Sequence, residues 1–140
     1  MDMINKFQIA ELLLRVFCGV IFVYQGYDKL FKLKISGVTE SFQVISQKQH
    51  IPQFVLKSSA IYTSIIEFVA GLMLLFGFFK TVALTLLGID IIIVGVAFSV
   101  LEPVWDMRHV FPRLLMIILL LILPYEWEFF SVDYLLNLNK

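Results

Sequence analysis

The sequence predicts an all-α membrane protein: a bundle of four transmembrane helices with a short amphipathic surface helix between the first two. Composition carries much of this prediction. Apolar residues make up 60% of the 140-residue chain, and the mean hydropathy is +0.91. Charged residues make up only 16%, against about 25% in typical soluble domains. A soluble domain of this length could not bury so much apolar surface, whereas lipid can cover every outward face.

Four segments are apolar enough to cross the hydrocarbon layer, which takes about 20 residues of helix. We predict them at residues 9–33, 54–79, 81–101 and 110–127, within a single domain covering residues 1–140. The second and third segments are separated only by Lys80 and its neighbours, so they should form a tight antiparallel hairpin. Pro112 suits the first turn of the fourth helix, where a backbone N–H would go unused.

The longest connection joins the first two predicted helices. Val38, Phe42 and Ile45 recur there at helical spacing, which favours an amphipathic helix lying on the membrane surface. An ordinary polar loop is the alternative. Lys and Arg are more frequent on the side of the membrane that holds this connection. This charge asymmetry predicts that residues 34–53 are cytoplasmic and that both termini lie on the opposite side.

Small and polar residues form a stripe on each of the first two predicted helices. The stripes consist of Arg15, Gly19, Phe22, Gly26 and Lys29 on the first helix, and Ala60, Thr63, Ser64, Glu67, Ala70 and Gly71 on the second. Glycine lets helices approach closely where lipid provides no hydrophobic drive, so both stripes should face the bundle interior. A carboxylate within a span is costly unless it is paired or protonated. We therefore expect Glu67 to face inward, with Arg15 as its partner.

The third predicted helix has two inward faces. Asp90 follows Gly88 by two residues, which is about 200° around a helix, so the two residues cannot share a face. The face of Gly88 and Gly95 could pack on one neighbour, while the face of Asp90 meets another neighbour or lines a cleft.

These residues also carry a resemblance to the DoxX-like family of small four-helix membrane proteins. The first helix reads LLLRVFCGVIFVYQGYDKLF, similar to the family's Arg, Gly and Gly-x-x-Lys-Leu pattern at Arg15, Gly19, Gly26, Lys29 and Leu30. The second reads IIEFVAGLMLLFGFF, similar to the pattern Glu-x-x-x-Gly-x-x-Leu-x-x-Gly at Glu67, Gly71, Leu74 and Gly77. The segment SVDYLL resembles the family's closing segment.

The resemblance implies an integral protein of the bacterial cytoplasmic (inner) membrane, acting as a membrane subunit or accessory factor of a quinone-linked redox system. Some family members are similar to the small membrane subunit of a thiosulfate:quinone oxidoreductase. If this chain belongs to an enzyme, it would be a non-catalytic or quinone-site subunit. The alternatives are a structural or assembly protein without catalytic activity and a small proton-coupled transporter.

Arg15, Glu67 and Asp90 are the candidates for an intramembrane proton or quinone site. Glu67 could take a quinol proton while Arg15 polarises an oxygen of the headgroup. The alternative is a structural ion pair that fixes the helix register, with Asp90 as a satisfied buried group. A second set could form a polar mouth at one membrane surface, or simply an interfacial belt; it comprises Asp28, Lys29, Trp105, Asp106, Arg108 and His109.

The sequence indicates no cofactor held by the chain itself, although a quinone could bind. Cys18 is the single cysteine, so neither an internal disulfide nor a dithiol redox pair can form. His50 and His109 are far apart in sequence and give no clear sign of a metal site. Lys and Arg form no dense cluster that would indicate nucleic acid. The expected partners are the lipid bilayer and either another membrane protein or further copies of this chain. A redox role would need a partner with a flavin, haem or metal centre, because no residue of this chain can carry electrons.

Overall fold

The computed structural model describes residues 6–46, 52–101 and 110–136, and every regular element in these ranges is helical. Helix α1 (Lys6–Tyr27) continues into a π-helical segment (Asp28–Lys32), which α2 (Lys34–Ser46) follows. Helices α3 (Gln53–Phe76) and α4 (Lys80–Leu101) form a hairpin. Helix α5 (Phe111–Ile122), a 3-10 turn (Tyr125–Trp127) and α6 (Val132–Leu136) complete the described chain.

Within the described ranges, three helical segments are long and apolar enough to span a membrane: α1 with its π-helical extension, α3, and α4. They lie where the first three spans are predicted. Helix α5 has 12 residues, about 18 Å of helix, which is short of the roughly 30 Å hydrocarbon core. It ends at Ile122 because Leu123 precedes Pro124 and takes an extended conformation, with ψ of 136°. The predicted fourth segment is thus shorter than 110–127, and the count of four spans stays a prediction.

A helix occupies most of the connection between α1 and α3, as the apolar spacing predicts, so the alternative of a polar loop is wrong for residues 34–46. The chain changes direction at Lys34, whose φ of 57° lies in the left-handed region. Val38 and Thr39 are buried, whereas Ser36 and Glu40 are exposed. Helix α2 is therefore two-faced and packs against α3. Its position on the membrane surface stays a prediction, as does the cytoplasmic placement of this connection.

Helices α1 and α3 pack together so closely that glycine is required at their contact. A Cβ added at Gly71 would lie 2.8 Å from the backbone nitrogen of Val23. One added at Gly19 would lie 2.9 Å from the Cα of Leu75. The two small-residue stripes thus face each other, as predicted, and the helices run antiparallel.

Gly26→Ala should destabilise the protein by about 1–3 kcal/mol, the usual range for overpacking a tight contact. The added methyl group would meet the backbone of Phe68, which cannot rotate away as a side chain could. Gly88→Ala is the matched control, because a Cβ there would lie at an ordinary 3.6 Å from Ile117 Cγ2. Thermal unfolding in lipid nanodiscs measures both variants. Equal midpoints for Gly26→Ala and the wild type would contradict the close contact.

Helix α4 presents different faces to α3 and α5, which confirms the prediction that Asp90 and Gly88 point apart. The carboxylate of Asp90 accepts a hydrogen bond from Thr63 of α3. Gly88 lies against Ile117 of α5, and Gly95 lies against Val110 just before that helix. The apolar core between these helices includes the fully buried Cys18, which packs there as a small apolar residue.

Candidate functional site

The buried charged side chains form two separate clusters. The mid-bundle cluster consists of Lys29, Thr63, Glu67 and Asp90. The terminal cluster consists of Glu11, Arg15, Lys80, Glu128 and Asp133. The predicted site of Arg15, Glu67 and Asp90 is therefore divided between them: Glu67 and Asp90 come together, whereas Arg15 lies in the other cluster.

The register of α1 against α3 explains why Arg15 does not pair with Glu67. Gly19 lies opposite Leu75, and Arg15 is one turn nearer the start of α1. Its guanidinium therefore reaches the last turn of α3, where Nη1 donates to the carbonyl oxygen of Leu75 at 3.0 Å. Leu75 is eight residues beyond Glu67, about 12 Å along a helix. The predicted Arg15–Glu67 pair is wrong, and Lys29 is the cation beside Glu67.

In the mid-bundle cluster, Lys29 pairs with Glu67, and the hydroxyl group of Thr63 connects Lys29 to Asp90. Lys29 Nζ lies 2.6 Å from Glu67 Oε2 and donates to Thr63 Oγ at 3.4 Å. The Thr63 hydroxyl donates to Asp90 Oδ2 at 3.2 Å. The cluster therefore connects the end of α1 through α3 to α4.

Burial increases from Lys29 towards Asp90. The side chain of Lys29 is 25% exposed and that of Glu67 is 3% exposed, while Asp90 is fully buried. Among the described residues, neither Asp90 Oδ1 nor the buried Gln25 Oε1 has a hydrogen-bond partner. Lys29 Nζ and Glu67 Oε2, 2.6 Å apart, form an ion pair. Within this cluster, the most deeply buried acid, Asp90, is therefore the one that has no ion-pair partner of its own.

Local backbone geometry brings Lys29 to this cluster. Residues Asp28–Lys32 form a π-helix, which the hydrogen bond from Leu33 N to Asp28 O closes at 2.8 Å. This wider turn alters the direction of the side chains at the end of α1, and π-helical turns are frequent at functional sites. The Gly-x-x-Lys spacing then places Lys29 one turn beyond the close contact at Gly26.

The terminal cluster connects the C-terminal segment to the ends of α3 and α4. Arg15 is paired with Glu11 at 3.0 Å, and its Nη2 donates to Phe130 O at 3.0 Å. Lys80 Nζ lies 2.6 Å from Glu128 Oε1 and 3.4 Å from Glu11 Oε1. Burial raises the pKa of the Glu128 carboxyl, and Lys80 opposes that shift.

Asp133 caps helix α4 from far along the chain. Its two carboxylate oxygens accept hydrogen bonds from the backbone N–H groups of Phe79 and Lys80, each at 2.8 Å. The backbone N–H of Asp133 in turn donates to Gly77 O at 2.9 Å. Gly77 itself has a φ of 65°, which explains the glycine at this family position.

Sequence reasoning missed four members of the terminal cluster. Glu11 carried a local signal, because it lies four residues before Arg15 on the same helix face. Lys80 was placed only in a hairpin connection, and Glu128 and Asp133 lie beyond the predicted spans. No local periodicity links these last two residues to Arg15, so only the folded chain reveals the contact.

The structure bears on the predicted polar mouth only in part. Asp28 pairs with the exposed Lys32 at 2.8 Å, whereas Lys29 turns inward to the mid-bundle cluster. Trp105, Asp106, Arg108 and His109 lie outside the described residues, as does His50. Among the residues that are described, no three or more His, Cys, Asp or Glu side chains are grouped to hold a metal ion. The polar mouth therefore stays a prediction.

Three long apolar helices with charged groups buried between them define an integral membrane protein of the helical-bundle class. The sequence profile of the DoxX family matches residues 10–100, and the chain belongs to that family. The match contains the whole mid-bundle cluster, while Glu128 and Asp133 lie beyond it. No curated protein and no solved structure matches the chain.

Proposed function

We propose that this protein is a membrane component of a quinone-linked redox system, and that the mid-bundle cluster is its acid–base site. The observation that carries the proposal is a second carboxylate, Asp90, buried beside the Lys29–Glu67 ion pair. An ion pair alone could be structural, but an additional intramembrane acid is costly and points to proton handling. The redox link comes from what the family resemblance implies.

The chemistry assigned to the cluster is proton transfer. Oxidation of a quinol releases its hydroxyl protons together with electrons, and a carboxylate near the headgroup can accept a proton. In this proposal Lys29, not Arg15, is the cation that orients the oxygen of the headgroup. The electrons pass to a partner membrane protein that carries a flavin, haem or metal centre, because amino-acid side chains of this kind do not store them.

The test measures quinone-dependent electron transfer in membranes of the source cells, with the chromosomal copy replaced by each variant and decylubiquinol as the donor. Asp90→Asn removes one acid, and Lys29→Gln combined with Glu67→Gln removes the ion pair without stranding a charge. We expect both to lower the rate per molecule by about 10²-fold, the lower range for loss of general acid–base catalysis. Glu40→Gln, on the exposed face of α2, is the matched control.

Wild-type rates in both variants, at normal accumulation, would contradict the proposal. Affinity capture from the same membranes should recover a partner with a redox centre. Capture of the chain with no such partner would count against the redox link.

A structural or assembly role is the second candidate, and the contacts themselves favour it. The Lys29–Glu67 pair joins α1 to α3, and the Thr63–Asp90 hydrogen bond joins α3 to α4, so both can fix helix register. In that case the variants would lower the amount of folded protein and of captured partner. The electron-transfer rate per remaining molecule would stay at the wild-type value.

A further inference from the structure

Asp90 is the acid in the mid-bundle cluster that lacks a cation. We infer that Asp90 rests as a neutral carboxylic acid and exchanges its proton through Thr63 with the Lys29–Glu67 pair. This inference rests on the acid–base site of the proposed function, and it does not depend on quinone or on a partner protein.

The charges around Asp90 favour the neutral form. The single positive charge of Lys29 is already matched by Glu67, whose Oε2 lies 2.6 Å from Nζ. Arg113 of α5 is a second cation near the cluster, and the acid on which it acts is Glu67. No described cation forms an ion pair with Asp90 itself. Among the described residues, the direct partner of Asp90 is the hydroxyl of Thr63, and its Oδ1 has none. A fully buried carboxylate in this position is far less costly when it carries a proton.

Thr63 can pass a proton because its hydroxyl both accepts and donates. In the structure it accepts from Lys29 Nζ at 3.4 Å and donates to Asp90 Oδ2 at 3.2 Å. A hydroxyl hydrogen rotates, so the same two oxygens can bond with Asp90 as the donor when its Oδ2 carries the proton. In the transfer, the Lys29 ammonium gives a proton to the Glu67 carboxylate. The resulting amine takes the Thr63 hydroxyl proton as Thr63 takes the Asp90 proton. Asp90 is then ionised, Lys29 is again an ammonium, and Glu67 is a neutral acid.

The packing around Asp90 indicates that a proton would leave this side chain through Thr63. Towards Lys29 the exposure of the side chains increases, reaching 25% at Lys29 itself. Towards the other end of the bundle, the core residues Phe22, Leu74 and Leu87 have no exposed surface. Beyond them lies the terminal cluster, in which Glu11 is also fully buried. Loss of the Thr63 hydroxyl should therefore remove the described polar route between Asp90 and the exposed end of the cluster.

Infrared spectroscopy of the full chain in lipid nanodiscs tests both parts of the inference. At neutral pH the wild type should show the carbonyl band of a protonated carboxylic acid, which isotope-labelled aspartate shifts and Asp90→Asn removes. After transfer to D₂O, Thr63→Val should slow the deuterium shift of this band by at least about tenfold, as a break in a proton path does. Thr85→Val is the matched control, because the exposed Thr85 hydroxyl bonds only to Thr81 O.

The outcomes separate this inference from the proposed function. Absence of a protonated-aspartate band from the labelled wild type would overturn it without requiring any variant to fold. Equal exchange in Thr63→Val and Thr85→Val would overturn the route. If the band and the slow exchange are found but quinone-dependent rates are unchanged, the inference stands and the redox proposal fails. If those rates fall in Asp90→Asn while the wild type lacks the band, the inference fails and the redox proposal stands.

Discussion

Arg15→Met is expected to destabilise the protein by about 3–5 kcal/mol, the range for removing one partner of a buried ion pair. The loss would leave the fully buried Glu11 with Lys80 alone, at 3.4 Å. It would also strip donors from the carbonyl oxygens of Leu74, Leu75 and Phe130. The first two belong to the last turn of α3, where carbonyls lack the usual helical donors. Leu74 O keeps the backbone N–H of Gly77 at 3.0 Å, so the larger loss falls on Leu75 O. The midpoint of unfolding in nanodiscs, followed by circular dichroism, measures the effect.

Two further variants identify the cause. Glu11→Leu combined with Arg15→Met leaves Lys80 paired with Glu128. The loss of unfolding free energy in the double variant should therefore be smaller than the sum of the losses in the two single variants. Lys57→Met, at an exposed position on α3, controls for simple loss of a positive charge. A midpoint for Arg15→Met equal to that of Lys57→Met would show that the terminal cluster contributes no stability.

Truncation after Leu123 is expected to destabilise the protein at least as much as Arg15→Met does, by about 3–5 kcal/mol or more. It removes Glu128, the closer partner of the buried Lys80. It also removes the carboxylate of Asp133, which accepts hydrogen bonds from the backbone N–H groups of Phe79 and Lys80 at the start of α4. Loss of a helix cap alone destabilises a protein by about 0.5–2 kcal/mol. Accumulation in membranes and the unfolding midpoint should both fall.

A shorter truncation, after Leu136, is the control, because it leaves every described contact of Glu128 and Asp133 in place. Asp133→Asn then isolates the cap, since an amide can accept at one oxygen only. Its effect should lie between those of the two truncations. Normal accumulation of the chain cut after Leu123 would refute a structural role for this segment.

Local patterns in the sequence predict much of this fold. The small-residue stripes on α1 and α3 depend on helical spacing within one segment, and the structure buries Gly19, Gly26 and Gly71 where the stripes meet. The opposed directions of Gly88 and Asp90 follow from 200° of helical rotation. The spacing of Val38, Phe42 and Ile45 predicts the helix between α1 and α3. Each of these predictions needs only the period of a helix.

Pairing between helices could not be predicted in the same way. Whether Glu67 meets Arg15 or Lys29 depends on how far α1 slides along α3, and two cations on one stripe leave both registers open. The close contacts at Gly19 and Gly26 decide the register, because each glycine must face backbone. The grouping of the buried side chains was therefore predicted only in part: Glu67 and Asp90 lie in one cluster as expected, but Lys29 takes the place expected for Arg15.

The contacts of the C-terminal segment could not be predicted from local sequence patterns. Glu128 lies 48 positions from Lys80 in the printed sequence, and no periodic pattern connects such residues. Pro124 also ends α5 earlier than its apolar run indicates. Glu128 and Asp133 lie beyond the predicted fourth segment, yet both side chains are buried.

The cap on α4 also sets an order of assembly during synthesis. Asp133, whose carboxylate satisfies the first N–H groups of α4, leaves the ribosome after α4 and α5 have been made. The α3–α4 hairpin therefore enters the membrane with its Lys80 turn still uncapped, and Arg15 lacks its contact with Phe130 until the same moment. A chain that stops directly after α5 would therefore lack both of these contacts.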